Sequence, residues 1–206
     1  MRSIPEDGNS ELCRERQYWL IQYQDKSCFI FLQFFSYGEK LAAEGEINEA
    51  ISAFQKAVKL DSDFSLNYAA ASLLRSGRKL IKNQKFDEAI SAYNQGKKLD
   101  SSLEIYAPDW DNICQQGILN KQAKKVMSAC ENSVELEPDN EWFRDRRGLA
   151  RALTGDFQGA IEDFEMFIER IDNKGYEDAK ARRKSWVDTL KKGENPLTTE
   201  ELEKLR

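Results

Sequence analysis

The chain has 206 residues, 40% hydrophobic and 33% charged, with a mean hydropathy of −0.70. So wet a composition disfavours one thick core and favours an elongated, thin-cored architecture. Thirty-one basic against 36 acidic residues leave a formal charge of −5, without the basic excess expected of a duplex nucleic-acid binder. The longest apolar-rich run, residues 28–35, is far shorter than the roughly 20 residues a membrane-spanning helix needs.

Histidine is absent. That removes the commonest general base, the Ser–His–Asp and Cys–His arrangements and histidine-containing zinc sites. No glycine-rich phosphate loop and no GxSxG turn occurs. Acid pairs such as Asp109/Asp111 and Glu162/Asp163 are expected at solvated helix starts or faces. The sequence therefore predicts no catalytic residue, no cofactor and no metal. Cys13, Cys28, Cys114 and Cys130 show no CxxC spacing, and two bridges are arithmetically possible. The opening MRSIPEDGNSEL has no apolar signal segment, so free thiols in a reducing cytoplasm are the expectation. The acid-rich start fits a chain cut from a longer parent, and Met1 fits a genuine beginning.

In chain order, residues 1–10 read as disordered. Residues 11–30 carry Leu12, Trp19, Leu20 and Tyr23, then Phe29 and Ile30, and predict a helix running into the next element. The aromatic density suits packing on that element as an entry cap, or else a self-association surface. Internal repeats follow. GEINEAISAFQKAVKLDSDF (45–64) resembles QKFDEAISAYNQGKKLDSSL (84–103), and KQAKKVMSACENSVELEPDN (121–140) resembles GDFQGAIEDFEMFIERIDNK (155–174). Their small-residue markers Ala50, Ala89, Val126 and Ala160 are spaced 39, 37 and 34 residues apart.

This pattern resembles the tetratricopeptide repeat, a helix–turn–helix unit of about 34 residues. The resemblance implies an all-α right-handed superhelix of four repeats, 31–64, 70–103, 107–140 and 141–174. Repeat position 8 is then Gly38, Gly77, Cys114 and Gly148, and position 20 is Ala50, Ala89, Val126 and Ala160. Position 24 is Phe54, Tyr93, Cys130 and Phe164, and position 27 is Ala57, Gly96, Ser133 and Phe167. Small residues let the two helices of a repeat approach, and large ones fill the groove beside that contact. The extra residues before repeats 2 and 3 call for longer first helices or looser connections at Ser65–Ala69 and Glu104–Tyr106. Phe167 closes the last slot to an ordinary fifth repeat. As free thiols, Cys114 and Cys130 would act as small hydrophobes across one helix contact. Arg144, Arg147 and Arg151 fall at positions 4, 7 and 11. They suit a basic strip or, the preferred reading, an Arg147–Asp163 bridge within the repeat.

Residues 175–206 predict a helix from Tyr176 to Lys191, with Ala179, Trp186 and Leu190 on one side, stopped by Gly193 and Pro196. A capping box follows, with Thr198 as cap and Glu201 reaching back, then a short helix bearing Leu202 and Leu205. These elements are expected to cap the repeats; a docking tail is the alternative. Residues 110–140, 144–169 and 185–206 further resemble the C-terminal repeat region of large bacterial, especially cyanobacterial, multidomain proteins with WD-repeat, caspase-like or signal-transduction NTPase modules. That resemblance implies a regulatory or assembly segment of such a system.

The superhelix implies a concave groove lined by the first helices. A protein or peptide partner is expected there, on Leu74, Arg78, Lys82, Asp111, Gln115, Ile118 and Trp142, with neither nucleic acid nor membrane. Arg78 and Lys82 either orient that ligand with Asp111 or pair with it. The family's clamp for C-terminal carboxylates needs Lys and Asn where this chain has Phe35 and Glu39, so that use is not expected. The function expected is a non-catalytic cytoplasmic interaction scaffold.

Overall fold

The computed structural model describes residues 26–60, 66–171 and 175–205, with side chains from Ile30 onward. The expected segment 1–10 and most of 11–30, including Leu12, Trp19, Leu20 and Tyr23, lie outside them. The described residues are all-α, as expected, with no strand among them. They belong to two compact units, Met1–Glu104 and Ile105–Arg206.

The first unit holds α1 (Lys26–Glu44), α2 (Ile47–Leu60), α3 (Leu66–Lys82) and α4 (Phe86–Leu99). Helix α1 pairs with α2 and α3 with α4, and α1 also packs on α3. Each helix of a pair buries one stripe: Ile47, Ala50, Ala53, Phe54 and Ala57 on α2, for example, and Phe86, Ala89, Ala92, Tyr93 and Gly96 on α4. These stripes follow the three-and-four spacing of an amphipathic helix. The extra residues before the second pair lengthen α3, which begins at Leu66 and runs for 17 residues.

The second unit holds α5 (Ala107–Leu119), α6 (Ala123–Leu136), α7 (Glu141–Thr154), α8 (Phe157–Arg170), α9 (Glu177–Leu190) and α10 (Thr199–Glu203). Pairs α5/α6 and α7/α8 form hairpins. The first stacks on the second through α6 and α7 and through α5 and α7, and α9 packs on α8. Local chemistry sets the boundaries. The Asn140 side chain accepts hydrogen bonds from the Trp142 and Phe143 N–H groups and so starts α7. Gly155 ends it in the left-handed region at φ 92°. The Asp156 carboxylate then accepts from the Gly159 N–H to open α8.

The hairpins share one contact. Gly38 faces the Phe54 ring, Gly77 the Tyr93 ring and Gly148 the Phe164 ring. A Cβ added at Gly77 would stand 2.5 Å from the Tyr93 ring, so only glycine lets the helices come this close. In the third hairpin the matching residues are Cys114 and Cys130, and their sulfurs are bonded. This corrects the free-thiol expectation for both. Two thiols facing across so close a helix contact, with Cα atoms 4.9 Å apart, stand within bridging range. The free-thiol expectation followed from a reducing compartment inferred from the opening residues, and the bonded sulfurs do not fit it. The side chains of Cys13 and Cys28 lie outside the described residues.

Helix α9 sets Trp186 on the Phe164 ring, 5.6 Å between centroids, and buries Trp186, Val187 and Leu190. Half of the expected capping box is present: the Thr198 hydroxyl accepts from the Glu201 N–H. The Glu201 carboxylate does not complete it. It accepts instead from Lys204, while the Thr198 N–H donates to the Pro196 carbonyl.

Candidate functional site

Of the expected groove residues, Leu74, Arg78 and Lys82 lie on α3 in the first unit, Leu74 half-buried and the two cations exposed. The other four lie in the second unit, on α5 and α7. There Gln115, Ile118 and Trp142 come together around a cavity of about 200 Å³, which Leu119, Asp145, Arg146, Leu149, Arg183 and Leu205 complete. Ordinary small-molecule pockets run from about 300 Å³ upward, so this one suits a side chain or two. Sequence reasoning, which sets Asp145 at a groove position, missed Arg146 and Arg183 and did not place Leu205 beside Ile118.

Its apolar floor comes from Ile118 and Leu149, both buried. Trp142 forms one wall, its ring 5.2 Å from Phe167 and 5.3 Å from Tyr176 by centroids. Flanked by two rings at edge-on angles, the indole has a fixed orientation.

Fixed charges border this floor. Asp145 and Arg183 form a two-pronged ion pair, with Nε to Oδ1 at 2.8 Å and Nη2 to Oδ2 at 2.6 Å. Both side chains are almost fully buried, at 4% and 6% exposure. The planar guanidinium of Arg183 also lies over Trp186 at 4.7 Å and over Phe167 at 5.3 Å, which a lysine could not reproduce. Arg146 donates to Asp111 Oδ2 at 2.7 Å. Asp111 Oδ1 is buried and has no hydrogen-bond partner among the described residues. Burial pushes the Asp111 carboxyl above the ordinary aspartate range, with Arg146 partly offsetting it. Asp111 is therefore an internal member of an ion pair and lies outside the cavity lining.

The three arginines of α7 converge on one acid. Arg147 holds Asp163 by two hydrogen bonds, of 2.9 and 2.6 Å, as the preferred reading required. Arg151 adds a third at 2.9 Å, and Arg144 stands 3.6 Å away. Asp163 is 1% exposed, so the guanidinium groups replace the water it loses. Its hydrogen bond to the carboxylate raises the Arg147 pKa further.

The chain's last segment reaches this face. The Asn195 amide donates to the Ala152 carbonyl at the end of α7, and Lys121 Nζ lies 3.4 Å from the Thr199 hydroxyl. Leu197 and Leu202 are buried, and Leu205 lines the cavity. Among the described residues no cluster of three acids or cysteines is arranged to hold a metal, and no helix is long and apolar enough to cross a membrane.

Residues 35–64, the end of α1 through α2 and just beyond, match the family model described as Tetratricopeptide repeat. No curated protein matches the chain. The matched segment contains the Gly38–Phe54 contact, and the same spacing recurs at Gly77–Tyr93, Cys114–Cys130 and Gly148–Phe164. The chain is thus similar to a tetratricopeptide protein in one matched repeat, and its other hairpins reuse that repeat's closest contact.

Proposed function

We propose that this protein is a non-catalytic scaffold that holds a peptide segment of another protein on the first-helix face of its hairpins. The observation that carries this reading is the cavity between α5 and α7, with an apolar floor, a fixed indole wall and immobilised charges at its border. Such a surface gives an extended or helical peptide an apolar anchor point and polar groups that fix its direction. Pre-paired charges cost little further ordering on binding. In the wider form of the proposal, the Leu74, Arg78 and Lys82 face of α3 extends the same use to the first unit. Resemblance of residues 110–206 to bacterial multidomain repeat regions supports a regulatory or assembly role, and an adjoining peptidase or NTPase gene is its direct check.

A photo-activatable residue tests the face itself. Placed at Gln115, it should capture a defined partner from the host; placed at Glu162, on the exposed side of α8, it should not. Equal capture from both positions would overturn the proposal.

A further inference from the structure

We infer that residues 195–205 are a tethered ligand of the α5/α7 face, and that the partner competing for it presents a short acidic helix with two large apolar residues three apart. This rests on the peptide-scaffold reading above and deepens it. Helix α9 already covers the last hairpin, with Trp186 on Phe164, so the segment beyond it is not needed there. Gly193, at φ 81°, turns the chain out of α9. The segment then runs back along the face, from the Ala152 carbonyl to Lys121, and lays Leu205 into the cavity beside Ile118 and Trp142.

Its chemistry is that of a ligand. Leu197 and Leu202 are buried, while Glu200, Glu203 and Lys204 face water. Glu201 pairs with Lys204 at 2.8 Å, and Lys204, with smaller help from Arg182 and Trp186, favours its charged form. A five-residue helix has no stability of its own, so α10 exists because this surface holds it. The fit is loose: Leu205 is only half-buried and about 200 Å³ stays empty around it. A competitor with a larger side chain at that point fills the space the tail leaves. Tethering supplies a high effective concentration, which sets the threshold a partner must exceed.

The experiment uses the full chain and a fluorescein-labelled synthetic peptide of residues 194–206, read by anisotropy. Leu202→Glu with Leu205→Glu releases the tethered copy. The released variant should bind the peptide at least about tenfold tighter than the wild-type chain does. An unlabelled peptide with serine at both leucines should not compete. Absence of binding by a variant with unchanged helicity and melting would overturn the inference. If the variant melts early, hydrogen exchange of the wild-type chain decides. Amides 199–205 opening separately from, and more easily than, those of α9 support a displaceable ligand; opening together with α9 makes the segment a structural cap and overturns it. Partner capture at Gln115 without peptide binding would remove the tail's role and leave the scaffold reading intact.

Discussion

Cys114 on α5 and Cys130 on α6 are joined at the two positions where the other hairpins set a glycine against an aromatic ring. All four pairs are separated by 16 residues, as the bridge is. The third hairpin thus holds its helices together by a covalent bond where its neighbours use ring packing. A bridge closing so short a loop restrains the unfolded chain by about 3 kcal/mol. Reductant, or Cys114→Ser with Cys130→Ser, should lower the urea midpoint by a corresponding amount. An unchanged midpoint would show that the bond adds nothing to the packing around it.

The neighbouring hairpin has the opposite vulnerability. Gly77→Ala puts a methyl 2.5 Å from the Tyr93 ring, and Tyr93 is fully buried. Alanine is otherwise the better helix former, so propensity alone predicts stabilisation. Overpacking should win, at a cost of about 1–3 kcal/mol. Thermal melting of the variant checks the sign.

Asp145→Ala leaves the Arg183 guanidinium buried without its carboxylate, a loss of about 3–5 kcal/mol. Replacing both residues with apolar ones of similar volume should cost much less. A double-mutant cycle by chemical denaturation measures that difference. A double-variant loss equal to the sum of the two single-variant losses would mean that the pair is not coupled.

Asp111 reverses the usual acid dependence. Its folded pKa lies above the ordinary 3.8, burial being the largest cause. Its stabilising contribution is therefore full below 3.8 and is lost as pH rises through the raised value. Asp111→Asn should gain stability relative to the wild-type chain on going from well below pH 3.8 to neutral pH. Urea midpoints of the two proteins at both conditions supply the test. A change in the opposite direction would show that Arg146 outweighs burial.

Much of the packing was legible because it repeats. Ala50, Ala89, Val126 and Ala160 are all fully buried, as their recurrence predicted, and Arg147 with Asp163 could be read within one hairpin. The bridge was obscured by a prior about compartment, although Cys114 and Cys130 carried the same spacing as Gly77 and Tyr93. Ion pairs between first helices were missed for another reason. Glu39 with Arg75, Asp111 with Arg146 and Asp145 with Arg183 lie 36, 35 and 38 residues apart. That is about one repeat, beyond the reach of any local pattern. Asp111 was consequently read as facing a ligand or pairing with Arg78 and Lys82, and its partner Arg146 was not foreseen. The return of residues 195–205 was hidden because so short an amphipathic segment specifies a buried side without specifying a direction.

Helix α7 bears both halves of this ladder at adjacent residues: Arg146 faces Asp111 before it, and Asp145 faces Arg183 after it. Every rung has its acid in the earlier helix and its arginine in the later one. The joints therefore have polarity, like a plug and a socket, and reversing the order of two modules would set like against like. Residues 141–174 alone contain both fittings at a spacing that reproduces itself. Tandem duplication of those 34 residues would place the arginine of the second copy 35 positions after Asp145 of the first, the separation of Asp111 and Arg146. Of the repeat segments in this chain, that one has the charges to grow by copying itself.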